Sequence, residues 1–117
     1  MITIQTQIEV STAVLGDVAI TAAEGGIGYW SQIISGYRPS SWADTEVPED
    51  FVFYEIVENE PSGMLDPNTS VFITPELLAN GLAHVLRERH IEDISEVDAA
   101  VADEIVQYGV FGELVFG

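Results

Sequence analysis

"AAEGGIGYWSQIISGY", Ala22 to Tyr37, decides how this chain folds, because its glycines sit among aromatic and β-branched residues directly after an amphipathic stretch. Gly25 and Gly26 stand where a helix begun near Ser11 would end, a position for positive φ that glycine reaches at little cost. Beyond the pair, Ile27, Tyr29 or Trp30, Ile33 and Ile34 fall at spacings that suit a short second helix, closed by Gly36 and the Arg38-Pro39 pair. The glycine pair is therefore expected to join two helices that pack closely beneath Tyr29 and Trp30.

Working outward, residues 2 to 10 alternate Ile2, Ile4, Ile8 and Val10 against Thr3, Gln5, Gln7 and Glu9, the period-2 pattern of a half-buried strand. Ser11 and Thr12 can then cap a helix running to about Glu24. Its apolar face would carry Val14, Leu15, Val18 and Ala22, and its polar stripe Asp17, Thr21 and Glu24. Downstream, residues 39 to 51 read as a loop, with Trp42 anchored on the core. Residues 51 to 58, "FVFYEIVE", read as a strand, and "SVFIT" after a turn-rich stretch reads as its hairpin partner.

Thr74 caps a helix that Pro75 opens, with Leu77, Leu78, Leu82 and Val85 as its core stripe. Ser95 and Asp98 form a capping box for a last helix that turns Val97, Val101, Ile105 and Tyr108 inward and ends at Gly109. "VFGELVFG" suits one more short strand. The expected fold class is α+β: a small antiparallel sheet, built from the N-terminal strand, the central hairpin and a C-terminal strand, packed by about four helices. Residues 1 to 117 are expected to form a single acidic domain.

Charge restricts function more than any motif does. The chain carries 20 Asp and Glu against three Arg and no Lys, a formal net charge of −17. Such a field repels nucleic acid, nucleotides and anionic membranes and attracts basic protein surfaces. Direct nucleic-acid binding and membrane association are not expected. The absence of cysteine excludes disulfides, thiolate nucleophiles and Cys-based zinc sites. "MITIQTQIEV" holds neither a basic n-region nor an apolar h-region, so a cytoplasmic location is expected.

Two strings, "AAEGGIGYWSQI" and "DEIVQYGVFGELVFG", together resemble a family of small uncharacterised proteins of actinobacteria and especially of their bacteriophages. That family carries an A-x-EGGI-x-YW core and finishes with a helix followed by FGE-x-V-x-G. The resemblance implies a phage or actinobacterial origin and marks Glu24, Gly25, Gly26, Tyr29 and Trp30 as motif residues with a structural role. It brings no activity and no catalytic residues, and residues 39 to 70 match no part of it.

The candidate sites are few. "GGIG" could make a backbone nest for phosphate, but its spacing fits no phosphate-binding fingerprint, no Lys follows and Glu24 would repel the ligand. "DPNTS" begins like a calcium loop but has Val71 and Leu77 where that loop needs Gly and Glu. His84 and His90 are six residues apart and do not form a zinc pair. Asp17 and Glu24, on one stripe with Thr21, could share a cation or form an acid/base site only if a third group closed on them. No cofactor and no metal are therefore expected.

What remains is distributed acidity, concentrated in Asp44, Glu46, Glu49, Asp50, Glu55, Glu58 and Glu60 and again in Glu88, Glu92, Asp93, Glu96, Asp103 and Glu104. These acids are the expected partner-binding surface of a non-enzymatic interaction protein that engages a basic host protein, in its sharpest form as a nucleic-acid mimic. Seventeen charges at the duplex spacing would occupy roughly 29 Å of helix axis, and a chain of this length is roughly 35 Å across. Two alternatives stand beside this reading. One is a structural or assembly module that forms a homo-oligomer and uses its acidity for solubility. The other is a small divalent-metal-dependent enzyme using Asp17, Glu24 and acids from the loop of residues 39 to 51.

Overall fold

The computed structural model describes residues 10–36, 39, 42, 45–59, 62–66, 69–89 and 97–117. Within them three helices and a three-stranded antiparallel sheet form a mixed α+β fold. Helix α1 spans Thr12–Gly25, and the Ser11 hydroxyl accepts the Val14 N–H at 3.2 Å, as the sequence suggests for its cap. Its apolar band is wide, with Ala13, Leu15, Val18, Ala19, Ile20 and Ala22 all buried.

The glycine pair does end α1, but for a different reason than expected. Gly26 has φ −106°, well inside the range open to any residue. A Cβ there would lie 2.7 Å from the Ala99 carbonyl oxygen, so glycine is needed for the close approach of another helix. The chain then reverses in one turn, with the Trp30 and Ser31 N–H groups both donating to the Ile27 carbonyl.

No second helix follows. Ser31–Gly36 is strand β1, paired antiparallel with β2 (Tyr54–Glu58), which pairs in turn with β3 (Val71–Ile73), giving the order β1-β2-β3. In so short a segment, apolar residues at Ile27, Ile33 and Ile34 satisfy either period. The outcome is set by a distant partner: Gln32 lies opposite Val57 and Ile33 opposite Ile56, a pleated surface that β-branched side chains fit. Ile34 is the extra residue where the register shifts between Ile33 and Ser35.

The central hairpin forms where the sequence places it. Tyr54, Ile56 and Ile73 point to the buried face, and the Tyr54 hydroxyl donates to the Ala19 carbonyl of α1 at 2.9 Å. Trp42 is an anchor, as expected. Its indole lies over Gly16 of α1, edge-on to Phe51 and Phe53 at 5.6 and 5.3 Å, and the Trp42 backbone N–H donates to the Asp17 carboxylate at 2.9 Å.

Helix α2 spans Pro75–Arg89, opened by the Thr74 hydroxyl accepting from Leu77 N–H. Helix α3 spans Ala99–Phe111, later than a Ser95–Asp98 capping box would start it, because extended Asp98 is itself the N-cap and its carboxylate accepts from Val101 N–H at 2.9 Å. The two pack very closely, since a Cβ on Gly81 would stand 1.9 Å from the Ile105 carbonyl oxygen and one on Gly109 would meet Leu77. Gly109 therefore lies within α3 as a packing residue, and Gly112, at φ 78°, ends the helix.

Three expectations need restating. Residues 2 to 9 of the proposed N-terminal strand lie outside the described residues, as do Ser95 and His90. The described residues hold three helices instead of about four. Residues 112 to 117 form no strand, because a side chain of α3 takes up the backbone N–H groups of Val115 and Phe116. No helix of the described residues is long and apolar enough to cross a membrane.

Candidate functional site

The densest polar arrangement joins the turn after α1 to α3 and to the segment that follows it. Asp103 and Gln107, one helical turn apart, face the turn. One oxygen of Asp103 accepts from Trp30 Nε1 at 2.8 Å and from Gln107 Nε2 at 3.0 Å, and the other accepts from the Tyr29 hydroxyl at 2.6 Å. Gln107 Oε1 accepts the N–H groups of Val115 and Phe116 at 2.9 and 2.8 Å, while Nε2 donates to the Phe116 carbonyl at 3.2 Å. Phe116 stacks on Trp30 with centroids 5.1 Å apart and planes 9° from parallel, and Phe111 tilts against both rings.

The sequence folds this way because a buried tryptophan N–H needs an acceptor and Trp30 is 2% exposed. Asp103 supplies it. Among the described residues no buried side-chain nitrogen or oxygen lacks a partner. The Tyr29 hydroxyl is pushed up to about 12 by burial and then by its hydrogen bond to Asp103, so it stays a proton donor throughout the neutral range. With the tyrosine held protonated and the carboxylate accepting three hydrogen bonds, the arrangement offers neither a nucleophile nor a free base. Its chemistry is that of a clasp, fixing residues 112 to 117 against the turn.

Asp103 therefore does not belong to the partner-binding surface where the sequence put it. It is buried at 8% exposure. A signal was available: Val101, Ala102, Ile105 and Val106 leave α3 almost no polar face, and Tyr29-Trp30 brings two donors that need an acceptor. Gln107 had no signal of its own in the sequence.

The other expected acids are more open. Glu46, Glu49, Asp50 and Glu88 are exposed, and Glu55, Glu58 and Glu104 are half-buried. Asp44, Glu60, Glu92, Asp93 and Glu96 lie outside the described residues. Glu46 accepts from the Thr12 hydroxyl at 2.7 Å and from its N–H at 3.2 Å, bonds that hold its carboxyl below the usual glutamate range. Through the Glu49 carbonyl, which accepts from Glu76 N–H at 3.2 Å, the acidic loop is fixed at the start of α2. Glu58 accepts from Ser62 N–H, and Glu55 accepts from the hydroxyls of Ser35 and Ser70.

Asp17 and Glu24 do not make a site together. The Asp17 carboxylate holds the Trp42 backbone, and Glu24 is exposed on the last turn of α1. Among the described residues no group of three or more His, Asp or Glu is placed to hold a metal ion. His84 stacks flat on Tyr108 at 5.1 Å, and Arg87 approaches its Nδ1 at 3.2 Å. Gly26, Tyr29 and Trp30 of the motif string serve packing or the clasp, while Gly25 is exposed on the last turn of α1. Comparison with protein-family models, with curated proteins and with solved structures gave no match.

Proposed function

We propose that this chain is a non-enzymatic acidic interaction protein of phage or actinobacterial origin that binds a basic surface of a host protein in the cytoplasm. In its sharpest form it occupies the nucleic-acid site of a nucleic-acid-binding protein. One observation carries the reading: apart from Asp103, none of the described acids is buried, in a chain of net charge −17 with only three arginines. Fields of that sign and strength steer basic partners and reject polyanions. The longest axis, 40 Å, also exceeds the roughly 29 Å of duplex that carries as many phosphates.

The test is capture from an actinobacterial lysate at low salt, followed by competition. The expected result is recovery of nucleic-acid-binding proteins that elute as salt rises and that release a labelled duplex when the chain is added. Recovery of none, or retention indifferent to salt, would overturn the reading. A homo-oligomeric assembly module is the second reading, favoured by Ile34 and Phe72 at 50% and 54% exposure on the sheet. Sedimentation at a single larger mass across a range of concentrations would favour it.

A further inference from the structure

On the outer face of the sheet, opposite buried Tyr54 and Ile56, Ser35, Glu55 and Phe72 form one row across β1, β2 and β3. The geometry points to this row as a docking site for an arginine side chain of a basic protein partner. The inference rests on the acidic-interaction reading above and gives it a place.

Three features converge. First, the Glu55 carboxylate is fixed: Ser35 donates to one oxygen at 3.1 Å and Ser70 donates to the other. A surface glutamate normally loses rotamer entropy when it pairs, and here the hydroxyls have already ordered it. Each carboxylate oxygen has two acceptor positions and uses one, which leaves a matched pair for the fork of a guanidinium.

Second, Phe72 lies directly opposite Glu55 and is 54% exposed. Residues so paired have Cβ atoms about 5 Å apart, and a cation pairs with a ring face within about 6 Å of its centre. One guanidinium can therefore hold the carboxylate and cover the ring. Lysine, a compact and strongly hydrated charge, fits such a site less well. Third, the chain's net charge of −17 opposes a second copy as the occupant and draws a cationic one.

The experiment measures fluorescence anisotropy of labelled oligoarginine and oligolysine peptides with the full chain at low salt. Oligoarginine is expected to bind about tenfold more tightly than oligolysine. Glu55→Gln and Phe72→Ser are each expected to weaken oligoarginine about tenfold, whereas Glu88→Gln, an exposed acid of the helical layer, weakens it less than about twofold. Should Glu55→Gln unfold by circular dichroism, Phe72→Leu keeps the apolar area, removes the ring face and carries the test.

Equal losses from Glu55→Gln and Glu88→Gln, or equal affinity for the two peptides, would overturn the docking site while leaving the acidic-interaction reading intact. No binding of oligoarginine at all would overturn the site as well. Failure of the wider reading is seen separately, in the lysate capture and duplex competition.

Discussion

The Trp30 indole donates to Asp103 at 2.8 Å although 73 positions separate the two residues, so a turn near the start of the chain and its last helix are held by one carboxylate. Removing that carboxylate leaves the buried donors of Trp30 and Gln107 without their acceptor, while Tyr29, 57% exposed, can turn to water. Each stranded donor costs about 1–3 kcal/mol. Asp103→Ala is therefore expected to lower unfolding free energy by about 3 kcal/mol in urea titrations. Asp103→Asn, which keeps one acceptor for the indole, should lose roughly half as much. An alanine variant within about 0.5 kcal/mol of the parent would remove Asp103 as the centre of the clasp.

Gln107 and Phe116 hold residues 112 to 117 from two sides, one through backbone hydrogen bonds and the other by stacking on Trp30. In Gln107→Glu a second carboxylate would stand beside Asp103 and the donor to the Phe116 carbonyl would be lost. The expected outcome is a rise of about tenfold or more in amide exchange at Val115 and Phe116, with the helices unchanged. In a Trp42→Phe background, Phe116→Ala should also red-shift Trp30 emission and increase its quenching by acrylamide. Emission that stays blue would mean that Phe116 does not shield the indole.

Much of this architecture is legible in local chemistry. Ser11 and Thr74 with Pro75 start helices where their side chains predict it, and "FVFYEIVE" with "SVFIT" pairs as a hairpin, whereas the last helix starts at Asp98 and not at the expected Ser95. Strand β1 was not legible. The residues that decide it, Ile56 and Val57, lie more than twenty positions away, and helical and pleated spacings are equally present in "IGYWSQIISG". The clasp was half legible, since Trp30 demands an acceptor but nothing local says which of twenty acids provides it. Asp103 escaped notice because a carboxylate in an acidic chain is ordinarily taken for surface.

Alkaline pH tests the Tyr29–Asp103 bond. The tyrosine proton is held to about 12 in the folded chain, above its ordinary value of 10.0. Because the folded pKa is raised, its contribution is fully present below about pH 10 and is lost as pH rises through about 12. Melting temperature should therefore fall over that window by more in the parent chain than in Tyr29→Phe. Parallel curves for the two proteins would show that the hydroxyl contributes no linkage.

At the acid end the corresponding group is Glu46. Its carboxyl is depressed by the Thr12 hydroxyl and N–H, so its contribution is present above the ordinary glutamate range and disappears as pH falls through the lowered value. Thr12→Val removes the hydroxyl that also accepts from Val47 N–H at 2.8 Å. That variant should show a shallower loss of stability on acidification than the parent, read by melting curves from neutral pH downward. The loop at Glu46 and Val47 should also become more susceptible to proteolysis.

The glycines of "EGGIG" are not equivalent, and substitution separates them. Nothing lies within 4 Å of a Cβ placed on Gly28, and one on Gly25 meets only the Ala99 Cβ at 3.5 Å, an ordinary contact. At Gly26 the same carbon would press on the Ala99 carbonyl oxygen at 2.7 Å and the Ala22 carbonyl oxygen at 3.1 Å, both backbone atoms that cannot turn aside. Gly26→Ala must therefore push α3 away from α1 and is expected to cost about 1–3 kcal/mol. Gly28→Ala should stay within about 0.5 kcal/mol of the parent, and Gly25→Ala should be neutral or stabilising by up to about 1 kcal/mol, since alanine is the better residue within a helix. If all three cost the same, the string would be selected for flexibility of the turn. A cost confined to Gly26 would establish that helix approach sets the motif.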